Sequence, residues 1–261
     1  MQQHFRYWLG LAGILGLWGC GGGGGGESPP IPDASVGGIW EGTITFEGGE
    51  VRGLSGLVTE DGVLQFIQED GAQYWGIVSS SQREITGTLS GATPLGATFA
   101  DGSVSGSGNF SGNVIPRASF DATSTFTTAN GAVVTGDIAL NFQTFYGRNS
   151  SLGQIAGNYT SAFAPGTDTL TIDGEGVLFG QIPATSCVLN GRVRVIDPAY
   201  NVYGIIFTYD NCTGESSVLN GSAFNGYVTL DNRSPPESIV GGLHGTPGGR
   251  PTAVTFVYER I

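Results

Sequence analysis

Two histidines, three cysteines and a few paired carboxylates are the side chains with which this 261-residue chain could do chemistry. His4 lies near the start, and His244 sits in GGLHGTPGG, where a lone imidazole among glycines reads as an exposed loop residue rather than a general base or a metal ligand. A glycoside-cleaving site needs only two positioned carboxylates. The candidates Glu60 with Asp61, Glu69 with Asp70, and Asp173 with Glu175 all adjoin glycine, a setting in which a carboxylate caps its own hairpin turn. The sequence has no Gly-x-Ser-x-Gly nucleophile elbow and no Asp-x-Asp-x-Asp-Gly calcium loop. It also has no lysine, which excludes a phosphate-loop lysine, a Schiff-base lysine and a Ser-Lys dyad. The expectation is a protein without catalytic residues, metal or cofactor, and so not an enzyme.

Aromatic side chains are the other candidates. Tyr74-Trp75, Phe142, Phe145, Tyr146, Tyr200 and Tyr203 either fill a core or line a ligand cavity or a sugar- or peptide-binding face. Charge narrows the partners further. Ten basic residues, all arginine, stand against 22 acidic ones for a net charge of -12, which argues against the phosphate backbone of nucleic acid.

The elements that must position these residues are strands. Forty-six glycines disfavour helix throughout, since each interior glycine costs about 1 kcal/mol relative to alanine. Short apolar runs separated by Gly, Asn, Asp and Pro read instead as strands and tight turns, and the fold class is all-β. The chain also repeats itself. GGIWEGTITF at Gly38 answers AGNYTSAFAP at Gly157, TEDGVLQF answers IDGEGVLFG, and NFQTFYGRNS answers the terminal TFVYERI. Two modules follow, residues 36–149 and 150–261, each of about eight strands. In the second the strands fall at 157–163, 168–173, 177–182, 187–196, 202–209, 219–230, 237–244 and 251–260. Two tandem antiparallel barrels would remove the exposed edges that template aggregation. One continuous sheet and a membrane barrel are the alternatives, and the segments lack the lipid-facing band and aromatic girdles of the latter.

A Gly-x-Trp on the first strand with an arginine on the last resembles the pattern of calycins, the lipocalins and related small barrels, in which the arginine lies across the tryptophan and closes one end. The resemblance implies that Trp40 pairs with Arg148, and Tyr159, which replaces the tryptophan in the second module, with Arg260. A guanidinium over an aromatic face contributes about 0.5 to 2 kcal/mol.

The start of the chain carries Arg6 and then an apolar stretch from Tyr7 to Trp18, the length of a signal-peptide core and too short to span a bilayer. Its end, Leu17-Trp18-Gly19-Cys20, resembles the lipobox of bacterial lipoproteins. That resemblance implies a signal peptide over 1–19, cleavage before Cys20, and diacylglycerol and an acyl chain on Cys20 as a membrane anchor. Gly21, in place of the aspartate that retains lipoproteins in the inner membrane, implies the outer membrane, at its periplasmic face or the cell surface. Residues 20–35, glycines followed by ESPPIPDAS, form a flexible linker with no apolar face to bury. Cys187 and Cys212 are then an even pair in an oxidising compartment, with free thiols and metal ligation as the alternatives to a disulfide. A disulfide there would be worth on the order of 3 kcal/mol.

The whole resembles uncharacterised two-repeat lipoproteins of Gram-negative bacteria. The functional expectation is a non-enzymatic binding or assembly role in the envelope, with an unknown protein, a glycan or a small apolar ligand as partner. One alternative is a lipocalin-like carrier of a small apolar ligand. Another is a cell-surface protein that binds a host molecule or a polymer, since a glycine run after the lipidated cysteine and paired barrels also resemble the transferrin-binding and factor-H-binding lipoproteins.

Overall fold

The computed structural model describes residues 33–163 and 168–261. Cys20, the expected signal peptide over 1–19 and the expected linker as far as residue 32 lie outside the described residues. Two closed eight-stranded antiparallel barrels make up the rest. The first runs β1 (Gly38–Phe46), β2 (Val51–Val58), β3 (Val63–Gln68), β4 (Gln73–Ser81), β5 (Glu84–Ala92), β6 (Ser105–Ile115), β7 (Ser119–Thr128) and β8 (Val133–Phe142). Each strand pairs with the next, and β8 returns to β1 with Trp40 opposite Phe142 and Phe46 opposite Gly136. The second runs β9 (Gly157–Ser161), β10 (Thr169–Ile172), β11 (Val177–Ile182), β12 (Cys187–Val195), β13 (Tyr203–Asp210), β14 (Ala223–Asp231), β15 (Ser238–Gly245) and β16 (Thr252–Arg260). It closes by β16 on β9, Arg260 opposite Tyr159.

Period-two patterning drives the closure. On β7 the side chains of Phe120, Ala122, Ser124, Phe126 and Thr128 point inward and buried while the intervening residues face water. The repeat extends to hydrogen-bond detail. Gly62 and Gly176, after the matching Asp-containing turns, take φ of +84° and +80°, a left-handed backbone that suits glycine. Their carbonyls accept from Val78 N–H at 2.8 Å and Val193 N–H at 2.7 Å, one strand away. The expected strand 219–230 is shorter in fact. Residues 214–219 coil into a 3-10 turn, so β14 begins at Ala223.

Each barrel has its own core. A third cluster lies between them, where outward-facing Ile39 and Leu57 of the first barrel meet Phe145, Tyr146 and Val202. The connection from β8 to β9 supplies two of these through a 3-10 turn at 144–147, followed by the short helix α1 (Leu152–Ile155). Residues 33–35, which read as linker, are tied to the first barrel. Ala34 N–H donates to Gln82 O at 2.7 Å, Ser80 Oγ donates to Ala34 O at 2.7 Å, and Asp33 accepts from Gln82 N–H at 2.8 Å.

Candidate functional site

The first barrel is packed at one end and hollow at the other. At the packed end Trp40 is fully buried, 5.8 Å from Phe120 and 5.5 Å from Phe142 between ring centroids. Its Nε1–H donates to Val36 O at 3.2 Å. Along the same strands towards the other end, the inward residues include Leu54, Leu89, Ser124, Thr128 and Ile138, and they enclose a cavity of about 890 Å³. Residue size creates the space. The second barrel fills its interior with rings, Phe207 against Tyr209 at 5.1 Å, Tyr209 against Phe224 at 5.3 Å and Phe207 against Phe256 at 6.0 Å. The first barrel sets Ser124, Thr128, Ala72 and Ala132 among the rings around its cavity, and these short side chains leave the space open.

Four connections frame the mouth, at 47–50, 69–72, 129–132 and the longer 93–104. Arg52 stands at the rim, donating from Nε to Glu50 at 2.7 Å and from Nη1 to Asp70. The bond to Glu50 is the main reason its pKa is raised. Glu69 accepts from Gly53 N–H at 3.0 Å, so its carboxylate reaches across strands rather than capping its own turn. Asp70 does cap locally, accepting from Ala72 N–H at 3.0 Å, and it also takes Gln68 Nε2 at 2.9 Å. Asp101 accepts from Ser103 Oγ at 2.6 Å and from Thr128, and these hydroxyls hold its carboxyl below the usual carboxylate range. Four rings line the opening. Phe99 and Tyr74 meet Phe126 at 5.5 and 5.2 Å, Phe46 lies beside Arg52, and burial pushes the Tyr74 phenol well above its ordinary pKa.

The second barrel braces the rim. Ala253 N–H donates to Thr93 O at 3.0 Å, and Arg250 Nη2 donates to Ala97 O at 3.0 Å, fixing the 93–104 connection from outside.

Of the residues singled out in the sequence, Arg260 lies over Tyr159 with Cζ 5.0 Å from the ring centroid. Tyr159 OH donates to Ile155 O at 2.6 Å, the same step of four residues back as Trp40 to Val36. Arg148 does not reach Trp40. Strand β8 ends at Phe142, whose ring occupies the place against Trp40, and the chain then leaves for the second barrel, where Arg148 Nη2 meets Glu237 at 3.4 Å. Glu237 is shared with Arg260 at 3.0 Å. Cys187 and Cys212 form a disulfide.

Asp173 caps its turn, accepting from Glu175 and Val177 N–H at 3.0 and 2.8 Å. Glu60 does not. It accepts from Ser35 Oγ at 2.6 Å and Tyr146 OH at 3.1 Å, joining the entering chain to the inter-barrel connection. His244 is no exposed loop residue either. It lies on β15, half-buried, stacked on Trp75 of the first barrel with centroids 3.9 Å apart and planes 3° from parallel.

The sequence reading did not single out Arg52, Phe99 or Asp101. The one available signal was PLGATFADGSVS, an irregular connection longer than its neighbours. Among the described residues, no three His, Cys, Asp or Glu side chains gather as a metal site would need. The arrangement can hold a molecule with an apolar body inside the barrel and a polar group at the rim. Compared with known proteins, the chain matches no family model, no curated protein and no solved structure.

Proposed function

We propose that the protein is a lipid-anchored envelope protein whose first barrel binds a small amphipathic ligand, with no catalytic step. The cavity of about 890 Å³ carries this reading, because it lies at the upper end of the 300 to 1,000 Å³ range in which small-molecule sites fall. Its depth favours an apolar chain, worth about 0.8 kcal/mol per methylene removed from water. The second barrel, filled by its own rings, serves as the support that fixes the rim.

Native mass spectrometry of the purified full chain tests the ligand. Bound small molecules should accompany the wild type and be lost from Ser124→Phe, which places a ring in the cavity. A wild-type protein that carries no added mass and takes up no apolar fluorophore would sink the binding role. The anchor rests on Leu17-Trp18-Gly19-Cys20 alone. Cys20→Ser should move the protein from the detergent phase to the aqueous phase on phase partitioning, and unchanged partitioning would remove the anchor.

A further inference from the structure

Resting on the binding role proposed above, we infer that the ligand of the first barrel is a cationic amphiphile, its apolar chain inside the barrel and an alkylammonium-type head at the mouth. The cavity has two chemically distinct ends. Its depth is walled by Ile44, Leu54, Phe66, Leu89 and Ile138, which offer a head group no hydrogen bond. Its mouth carries Glu47, Glu50, Glu69, Asp70 and Asp101 against Arg52 as the one cation among the lining residues.

Arg52 is already committed. Its guanidinium is held by Glu50 at 2.7 Å and by Asp70, so an incoming carboxylate or phosphate would have to displace an ion pair formed within the chain. The same anion would then face Glu47, Glu69 and Asp101. An incoming cation meets the reverse situation. Glu47, Glu50, Glu69 and Asp70 are exposed around one opening, and the excess of negative charge they give it attracts a positive head and repels a negative one.

The aromatic lining points the same way independently of the carboxylates. Phe46, Tyr74, Phe99 and Phe126 present ring surfaces at the opening, and the negative face of a ring attracts an ammonium or guanidinium. The mouth already holds one such arrangement. The Arg52 guanidinium lies 5.8 Å from the Phe46 centroid and pairs with Glu50 and Asp70, a ring-and-carboxylate environment of the kind an alkylammonium head would occupy beside Tyr74, Phe99 and Phe126.

Equilibrium dialysis of the full chain carrying Cys20→Ser, which brings no acyl chains of its own, decides the matter with dodecylammonium, dodecanol and dodecanoate as probes. Equal chains isolate the head. Dodecylammonium should bind at least about tenfold more tightly than dodecanoate, with dodecanol between them. The gap should shrink at molar salt, where the screening length is about 3 Å. In the double variant Glu47→Gln, Glu69→Gln the gap between dodecylammonium and dodecanoate should narrow by about tenfold, and an unchanged circular dichroism spectrum reports that the barrel is intact. Equal binding of all three probes, or preference for dodecanoate, overturns the cationic head and leaves the binding role standing. Failure of every probe removes the binding role and the cationic head with it. The three-probe comparison on the unaltered cavity decides even if the double variant does not fold.

Discussion

The imidazole of His244 is pressed face to face on Trp75, 3.9 Å between centroids, in the seam between the barrels. Its Nδ1 is buried without a hydrogen-bond partner, and burial lowers its pKa from the usual 6.5 to about 4. A histidine whose folded pKa lies below its unfolded value binds fewer protons folded than unfolded. Stability therefore falls as the pH drops from about 6.5 to about 4, and this contribution changes no further below that. Allowing for partial exposure, the loss is about 2 kcal/mol. His244→Phe keeps the stacked ring and removes the proton. Denaturant unfolding of this variant at pH 7 and pH 4.5 should show a difference smaller by about that amount than in the wild type. An equal pH dependence in the two proteins would show that the ring titrates as if in water. The glycines around His244 were visible in the sequence, but its burial was not, because the covering ring belongs to the other module.

At the scale of elements, the sequence was most legible where alternation and turn glycines coincide. Strands β11, β12 and β16 fall within one residue of their expected bounds; β11 is an apolar run between Gly176 and Pro183, and β12 and β16 alternate apolar with polar residues after a turn. It was least legible where the chain stops obeying local pattern. Residues 143–148 resemble a closing strand, yet they leave the barrel in a 3-10 turn, and Phe145 and Tyr146 are buried between the modules instead. The cavity was illegible for a related reason. An inward Ser124 or Thr128 reads as an ordinary strand residue until the opposite wall is known. The disulfide belongs to this scale too, because it ties the start of β12 to the chain beyond β13 across a sequence separation of 25. Loop-closure entropy assigns it about 3 kcal/mol. Replacing both cysteines by serine should lower the melting temperature by roughly 6 to 12 °C, and a thiol reductant should do the same to the wild type. A shift under about 1 °C in both would place the stabilisation of this hairpin in its packing alone.

The whole molecule depends on how closely the two barrels meet. Gln65 and Gln73 of the first barrel are almost wholly buried, bonded to each other at 2.9 Å, and Gln65 Oε1 accepts from Tyr227 N–H at 3.0 Å. They lie against Gly226 and Gly242 of the second barrel, which leave room for their amides. A Cβ at 242 would stand 2.5 Å from Gln73 Oε1 and 2.7 Å from Gln65 Nε2, and neither amide can retreat without breaking its bonds. At the edge, Arg233 reaches back to Glu41 with bonds of 2.9 and 2.7 Å while lying 4.5 Å over the Phe145 ring. That side chain is 43% exposed, so Arg233→Ala should cost only about 1 kcal/mol. The glycine matters more, because it sets the separation on which the stacked His244, the third core and the braced rim all depend. The wild type should therefore unfold in a single calorimetric transition, whereas Gly242→Val should split it into two as the barrels lose their shared contacts. The same variant should weaken probe binding in the first barrel without touching its lining, since Arg250 and Ala253 would no longer hold the 93–104 connection. A single unshifted transition in Gly242→Val, with binding intact, would mean that the barrels are independent and that the second contributes nothing to the mouth of the first.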